Sequence, residues 1–147
     1  MSVITDGRFT IKPSQGSFDS RSMYAFKDEV GEEVTLQPGP AQSYDVRPVP
    51  VENEDEDDGY VTIAHSGSGL FFTLPEGSEQ VVMTDDASGE RSWWSIIADP
   101  SSTLPDCFTI HNVGRDSYVV PQSTSTGSLV ISSDTGYPWS IMKLKQR

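Results

Sequence analysis

Apolar and polar residues alternate along this chain in short bursts. The runs GRFTIKP (7–13), MYAF (23–26), VTLQPG (34–39), YDVRPV (44–49), YVTIAH (60–65), LFFTLP (70–75) and QVVMTDD (80–86) are rich in β-branched and aromatic residues. Clusters of Gly, Pro, Ser and Asp separate them. No apolar stripe at i, i+3, i+4 is sustained, so amphipathic helices are not expected. Short strands at this spacing predict an all-β sandwich or barrel.

The order of the runs decides between the two. FTI (9–11), VTI (61–63) and FTI (108–110) each follow a short polar lead-in with an acid. An aromatic strand comes next, centred on Tyr24, Phe71/Phe72 and Tyr118. Then comes a β-branched run: Val34–Leu36, Val81–Met83 and Leu129–Ile131. Each unit closes on an aromatic–x–aliphatic tripeptide: YDV (44–46), WSI (94–96) and WSI (139–141). Three units of four strands predict a β-trefoil, with six strands in a barrel and six in hairpins capping one end. One unit cannot bury its apolar face alone, and closure removes exposed sheet edges. The expectation is one domain over 1–147, with repeats at approximately 6–50, 58–99 and 105–144 and an acidic linker loop at 50–58. The first unit's first loop, KPSQGSFDSRSM, is five residues longer than its counterparts. Such extensions on a rigid frame are where function tends to sit.

The stretch RSWWSI (91–96) holds two adjacent tryptophans. Neighbours on a strand face opposite ways. Trp94 aligns with Tyr44 and Trp139 and is expected in the core. Trp93 aligns with Ser43 and Pro138 and is expected to face outward. There it serves as an amphipathic contact surface for a sugar or partner, or lies under a loop such as the acidic one.

Charge narrows the function. The 147 residues carry 10 Lys and Arg against 22 Asp and Glu, a formal charge of −12. Nucleic-acid binding needs clustered cations, so neither nucleic acid nor an anionic membrane surface is an expected partner. No apolar run approaches the ~18–20 residues of a membrane span. The start does not read as a signal peptide, and the one cysteine, Cys107, has no internal disulfide partner. A cytoplasmic location is the expectation.

Catalytic signatures are absent: there is no G-x-S-x-G, P-loop or H-E-x-x-H. Cys107 and His111 are four residues apart, about 13 Å along a strand, too far for a nucleophile–base pair. His65 and His111 occupy different repeat positions. The run ENEDEDDG (52–59) lacks the spaced ligand pattern of a Ca²⁺ loop and reads as solvated surface. No enzyme activity, metal or cofactor is expected.

The repeated frame resembles two groups of β-trefoils over nearly the whole chain. In ricin-B-type lectins the units close on Q-x-W. Here the tripeptides are QSY (42–44), SWW (92–94) and YPW (137–139), so the signature is degraded in every unit. The opening DGRFTI, the size, the acidity and the lack of disulfides are similar to the fungal peptidase inhibitors called mycospins and mycocypins. That resemblance implies a peptidase partner, trypsin-like or papain-like, blocked by loops of the first unit. The mycospin comparison points to FKDEVGEE (26–33), with Lys27 followed by Asp28. The extended first loop also offers Arg21-Ser22. The mycocypin comparison points to SQGS (14–17) with Gly16, together with PGPA (38–41). The leading expectation is a loop-mediated inhibitor of a serine or cysteine peptidase. The alternative is a carbohydrate-binding lectin, with a glycan partner and Trp93 at the site.

Overall fold

The computed structural model describes residues 6–13, 23–26, 30–38, 43–49, 59–99, 107–122 and 130–143. Twelve strands account for most of them: β1 Gly7–Pro13, β2 Met23–Phe26, β3 Thr35–Pro38, β4 Tyr44–Pro48, β5 Val61–His65, β6 Phe71–Thr73, β7 Val82–Thr84, β8 Trp94–Ala98, β9 Cys107–Asn112, β10 Ser117–Pro121, β11 Val130–Ser133 and β12 Trp139–Lys143. A single-turn 3-10 helix, Glu90–Ser92, precedes β8. The all-β expectation therefore holds. Most expected strand runs lie within two residues of the observed ends, because Gly and Pro punctuate them.

Six strands close on themselves. β1 pairs with β4, β4 with β5, β5 with β8, β8 with β9, β9 with β12, and β12 with β1, all antiparallel. The remaining six form the pairs β2–β3, β6–β7 and β10–β11. Three backbone hydrogen bonds join the pairs in a ring. The Val34 N–H donates to the Val81 carbonyl (2.7 Å), the Val81 N–H to Val130 (2.9 Å), and the Val130 N–H to Val34 (3.1 Å). These three valines are each at most 4% exposed. Val130 stands one residue beyond Leu129, where the third β-branched run begins.

Alternation along the barrel strands turns one set of side chains inward. Tyr44, Trp94 and Trp139 are each at most 1% exposed, as expected from the closing tripeptides. The Trp94 indole N–H donates to the Phe72 carbonyl (3.2 Å) and that of Trp139 to the Val119 carbonyl (2.9 Å). Each tryptophan thus pins a barrel strand to a hairpin strand and satisfies its own buried donor. The Tyr44 hydroxyl has no such partner among the described residues, and burial pushes its pKa up. A small apolar cavity of about 10 Å³ lies between Trp94, Trp139, Ile110 and Val130, with no polar lining to hold a ligand.

Register sets a second layer of matched pairs. Tyr44 stands opposite His65, and Trp94 opposite Asn112. His65 and Asn112 do the same job: each accepts the backbone N–H three residues on. His65 Nδ1 takes it from Ser68 (3.3 Å) and Asn112 Oδ1 from Arg115 (2.9 Å). The larger Trp94 is matched with the smaller Asn112, and the smaller Tyr44 with the larger His65. We therefore expect Tyr44→Trp and His65→Asn to destabilise singly and to compensate each other when combined. A double-mutant cycle by urea denaturation should give a favourable coupling of about 1 kcal/mol. Additive losses would show that the two pairs are not interchangeable.

Candidate functional site

The outward face of β8, β9 and β10 gathers the polar and aromatic side chains that the core does not use. Trp94, Ile96 and Ile110 point into the core, so Ser95 and His111, which stand opposite each other, point away from it, with Ser95 buried and His111 half-buried. Tyr118 stands opposite His111 on β10. The two rings meet edge to face at 5.0 Å between centroids. His111 Nε2 lies 2.9 Å from Asp116 Oδ1, and the Asp116 side chain is 92% exposed. Gly136 closes the far side. A Cβ there would come 2.7 Å from Thr109 Cγ2 and 3.6 Å from Tyr118 Cδ1, so only glycine lets the 134–138 loop lie this close. The result is a surface patch at the β9–β10 turn, called the mouth of this hairpin below, with one half-buried imidazole, one half-buried phenol ring and one exposed carboxylate.

The β5–β6 hairpin provides an internal comparison. Ala64 stands opposite Phe71 there, as His111 stands opposite Tyr118. Gly69 occupies the turn position of Asp116, counting from Ile63 and Ile110. Both residues are left-handed, with φ of 74° and 50°. Glycine adopts this conformation freely, whereas an aspartate pays some steric cost. Asp116 is the only non-glycine with positive φ among the described residues. The frame thus builds the same turn from Ala64, Gly69 and Phe71. The aromatic ring is common to both hairpins, whereas the imidazole, the carboxylate and the phenol hydroxyl occur only in β9–β10.

Trp93 sits beside this mouth but is partly spoken for. The Val113 N–H donates to the Trp93 carbonyl (3.0 Å), which extends the β8–β9 pairing by one step. The indole is half-buried, and its N–H donates to the Ala87 carbonyl (3.0 Å). The 85–89 loop is therefore the loop that engages Trp93. That loop is held by Asp86, whose carboxylate accepts the Ser88 N–H (3.0 Å). The Ser88 hydroxyl and N–H together keep Asp86 below the usual carboxylate range. Trp93 is thus half-buried outside the core cluster, with its polar edge engaged within the protein.

Arg115 braces the mouth from behind. Its guanidinium bonds the carbonyls of Pro75 and Ser78 and the carboxylate of Glu79. Glu79 also accepts the Ser132 hydroxyl, the main reason its pKa is lowered, with Arg115 adding to the effect. Gly114 lets the turn pack on the 3-10 helix, since a Cβ there would meet the Arg91 nitrogen at 2.8 Å.

Among the described residues no group of three or more His, Cys, Asp or Glu converges as a metal site. No helix among them is long and apolar enough to cross a membrane. Cys107 is buried, and His111 engages Asp116 instead of a thiol or hydroxyl. The loop candidates Gly16, Arg21, Ser22, Lys27 and Asp28, and the acidic residues 50–58, lie outside the described residues. Of the expected site residues, only Trp93 is placed. His111, Asp116 and Tyr118 were not singled out together by any sequence motif.

No family model matches the chain, and no curated protein matches it. Solved structures do. A designed 3-fold symmetric protein, ThreeFoil, is similar with a TM-score of 0.70 at 16% identity, covering 95% of this chain and 100% of its own. A Polyporus squamosus lectin, solved bound to a human-type influenza-binding epitope, is similar with a TM-score of 0.70 at 15% identity. That match covers 99% of this chain and 51% of the lectin. A salivary protein from Culex quiquefasciatus, of the Cysteine and Tryptophan-Rich family, gives 0.68 at 17%, covering 98% of each chain. These neighbours are β-trefoil proteins. The chain shares their fold. At such identities the likeness speaks to fold alone, and function has to be argued from the site.

Proposed function

We propose that this chain is a carbohydrate-binding β-trefoil whose site is the mouth of the β9–β10 hairpin. One observation carries the reading. The frame builds the same turn from Ala64, Gly69 and Phe71, so the aromatic ring is shared and the His111 imidazole, the Asp116 carboxylate and the Tyr118 hydroxyl are what this hairpin adds. An aromatic face beside hydroxyl-binding polar groups is the chemistry that holds a sugar ring, which offers C–H bonds on one side and hydroxyls at its rim. The Tyr118 ring supplies the face. The Asp116 carboxylate has an oxygen not used by His111 and accepts from a sugar hydroxyl. Trp93 borders the site. The similarity to a lectin over nearly the whole chain supports the reading. The function involves no catalysis.

We further infer that the chain consists of three four-stranded units. The valine ring of 34, 81 and 130 and the matched Tyr44, Trp94 and Trp139 support this.

A glycan array tests the function. The wild-type chain should give a defined hit that Tyr118→Ala removes. A blank array at high protein concentration would count against the reading.

A second reading, loop-mediated inhibition of a peptidase, draws on one local feature. The segment after Lys27 is pinned: the Gly31 N–H donates to the Met83 carbonyl (2.9 Å) and the Met83 N–H to Glu32 (3.0 Å). Val30, just before it, is 59% exposed. A rigid base under a binding segment lowers the ordering cost of binding. Stoichiometric loss of trypsin or papain activity, relieved by Lys27→Ala, Arg21→Ala or Gly16→Trp, would favour this reading over the first.

A further inference from the structure

We propose that the saccharide taken at the β9–β10 mouth is uncharged or amine-bearing, and that sugars carrying carboxylate or sulfate groups are turned away. This rests on the carbohydrate reading and adds the ligand's charge class.

The charges projecting from the mouth are carboxylates, and the two arginines at its turn, Arg91 and Arg115, are each bonded to an acid. Asp116 projects its carboxylate into solvent, with only Oδ1 engaged by His111. Asp134 is exposed on the turn after Ser133, and Ser133 stands opposite Tyr118. The cation closest in sequence, Arg115, is turned away. Its side chain is 21% exposed and is bonded to Pro75, Ser78 and Glu79. The other described arginines are also matched with acids: Arg8 with Asp45, Arg47 with Asp6, and Arg91 with Glu76. Lys143 lies on β12 opposite Phe9, away from the β9–β10 turn.

An anionic ligand would therefore meet two carboxylates with no described cation available to receive it. It would also approach a chain of formal charge −12. Anion recognition depends on charge-assisted donors, bidentate arginine above all, and the described arginines are already engaged. A protonated amine has the opposite fate, because the open oxygen of Asp116 accepts from it. Exposed pairs of this kind are weak, so the expected gain over the matching neutral sugar is about two- to fivefold. It should shrink as salt rises.

The test is a glycan array carrying sialylated and sulfated glycans beside their neutral cores, and chito-oligosaccharides beside their deacetylated forms. It is read at low and at physiological ionic strength for the wild type and for Asp116→Asn. Asparagine tolerates the left-handed turn and still hydrogen-bonds His111, so this variant removes the charge alone. Expected are hits on neutral or amine-bearing glycans, with each acidic glycan weaker than its own core. Where both forms of a chito-oligosaccharide bind, the amine form should be stronger at low salt, and the margin should vanish in Asp116→Asn. An acidic glycan bound as well as its neutral core would overturn the charge inference and leave the carbohydrate reading standing. So would an amine preference that persists in Asp116→Asn. A blank array in all classes would instead sink the carbohydrate reading itself.

Discussion

Trp94→Ala is expected to abolish the cooperative fold, whereas Trp93→Ala should leave it intact. The two residues are chemically identical and adjacent, so the contrast isolates placement. Trp94 is fully buried against Ile96, Phe72 and Trp139 in the common core. Truncating a buried tryptophan costs about 3–5 kcal/mol. Its indole N–H also holds the Phe72 carbonyl, and an orphaned buried acceptor adds about 1–3 kcal/mol. Together these approach the whole stability of a typical small domain, about 5–15 kcal/mol. Trp93 is half-buried and holds one exposed loop through Ala87, so its loss should cost about 1–2 kcal/mol. Urea denaturation followed by circular dichroism reads both. A cooperative transition in Trp94→Ala with a midpoint near wild type would contradict the assignment of the core.

The second large effect is on binding. Asp116→Gly should weaken the saccharide by about ten- to hundredfold, the range expected when a hydrogen bond to a charged group is lost. Stability should stay within about 1 kcal/mol of wild type. Two small effects oppose each other there. Glycine relieves the cost of aspartate at φ 50°, as Gly69 does at the corresponding turn. Against this, the exposed contact with His111 is lost, worth about 0.2–1 kcal/mol. A residue that weakens binding when removed, without supporting the fold, is what separates a site from a structural contact.

Much of the fold was legible in the sequence. GRFTIKP and MYAF are strands over their full quoted length, because glycine or proline or a polar cluster bounds them. The inward trio of Tyr44, Trp94 and Trp139 followed from aligning three closing tripeptides, since the two-residue period of a strand leaves each aromatic one face to occupy. The single-turn helix at 90–92 left no such trace, being too short to show a period.

The candidate site was harder to read. Trp93 was visible as an outward residue, but the direction of its indole N–H depends on the backbone of the 85–89 loop, which alternation does not encode. His111, Asp116 and Tyr118 form no motif. They meet because cross-strand register places 111 opposite 118 and because the turn bends Asp116 back onto the imidazole. A usable signal did exist: aligning Ile63 with Ile110 puts Ala64 against His111 and Gly69 against Asp116. That comparison becomes informative only once Gly69 and Asp116 are seen to share a left-handed backbone.

In our proposal the β9–β10 mouth carries function beyond folding. The most direct measurement takes the glycan that the wild type binds and titrates it calorimetrically into wild type and Asp116→Gly, with thermal melts of both proteins alongside. Expected for Asp116→Gly are an unchanged or slightly higher melting temperature and binding lost or weakened at least about tenfold. Wild-type affinity in Asp116→Gly, or a loss of binding matched by a loss of fold, would contradict the proposal.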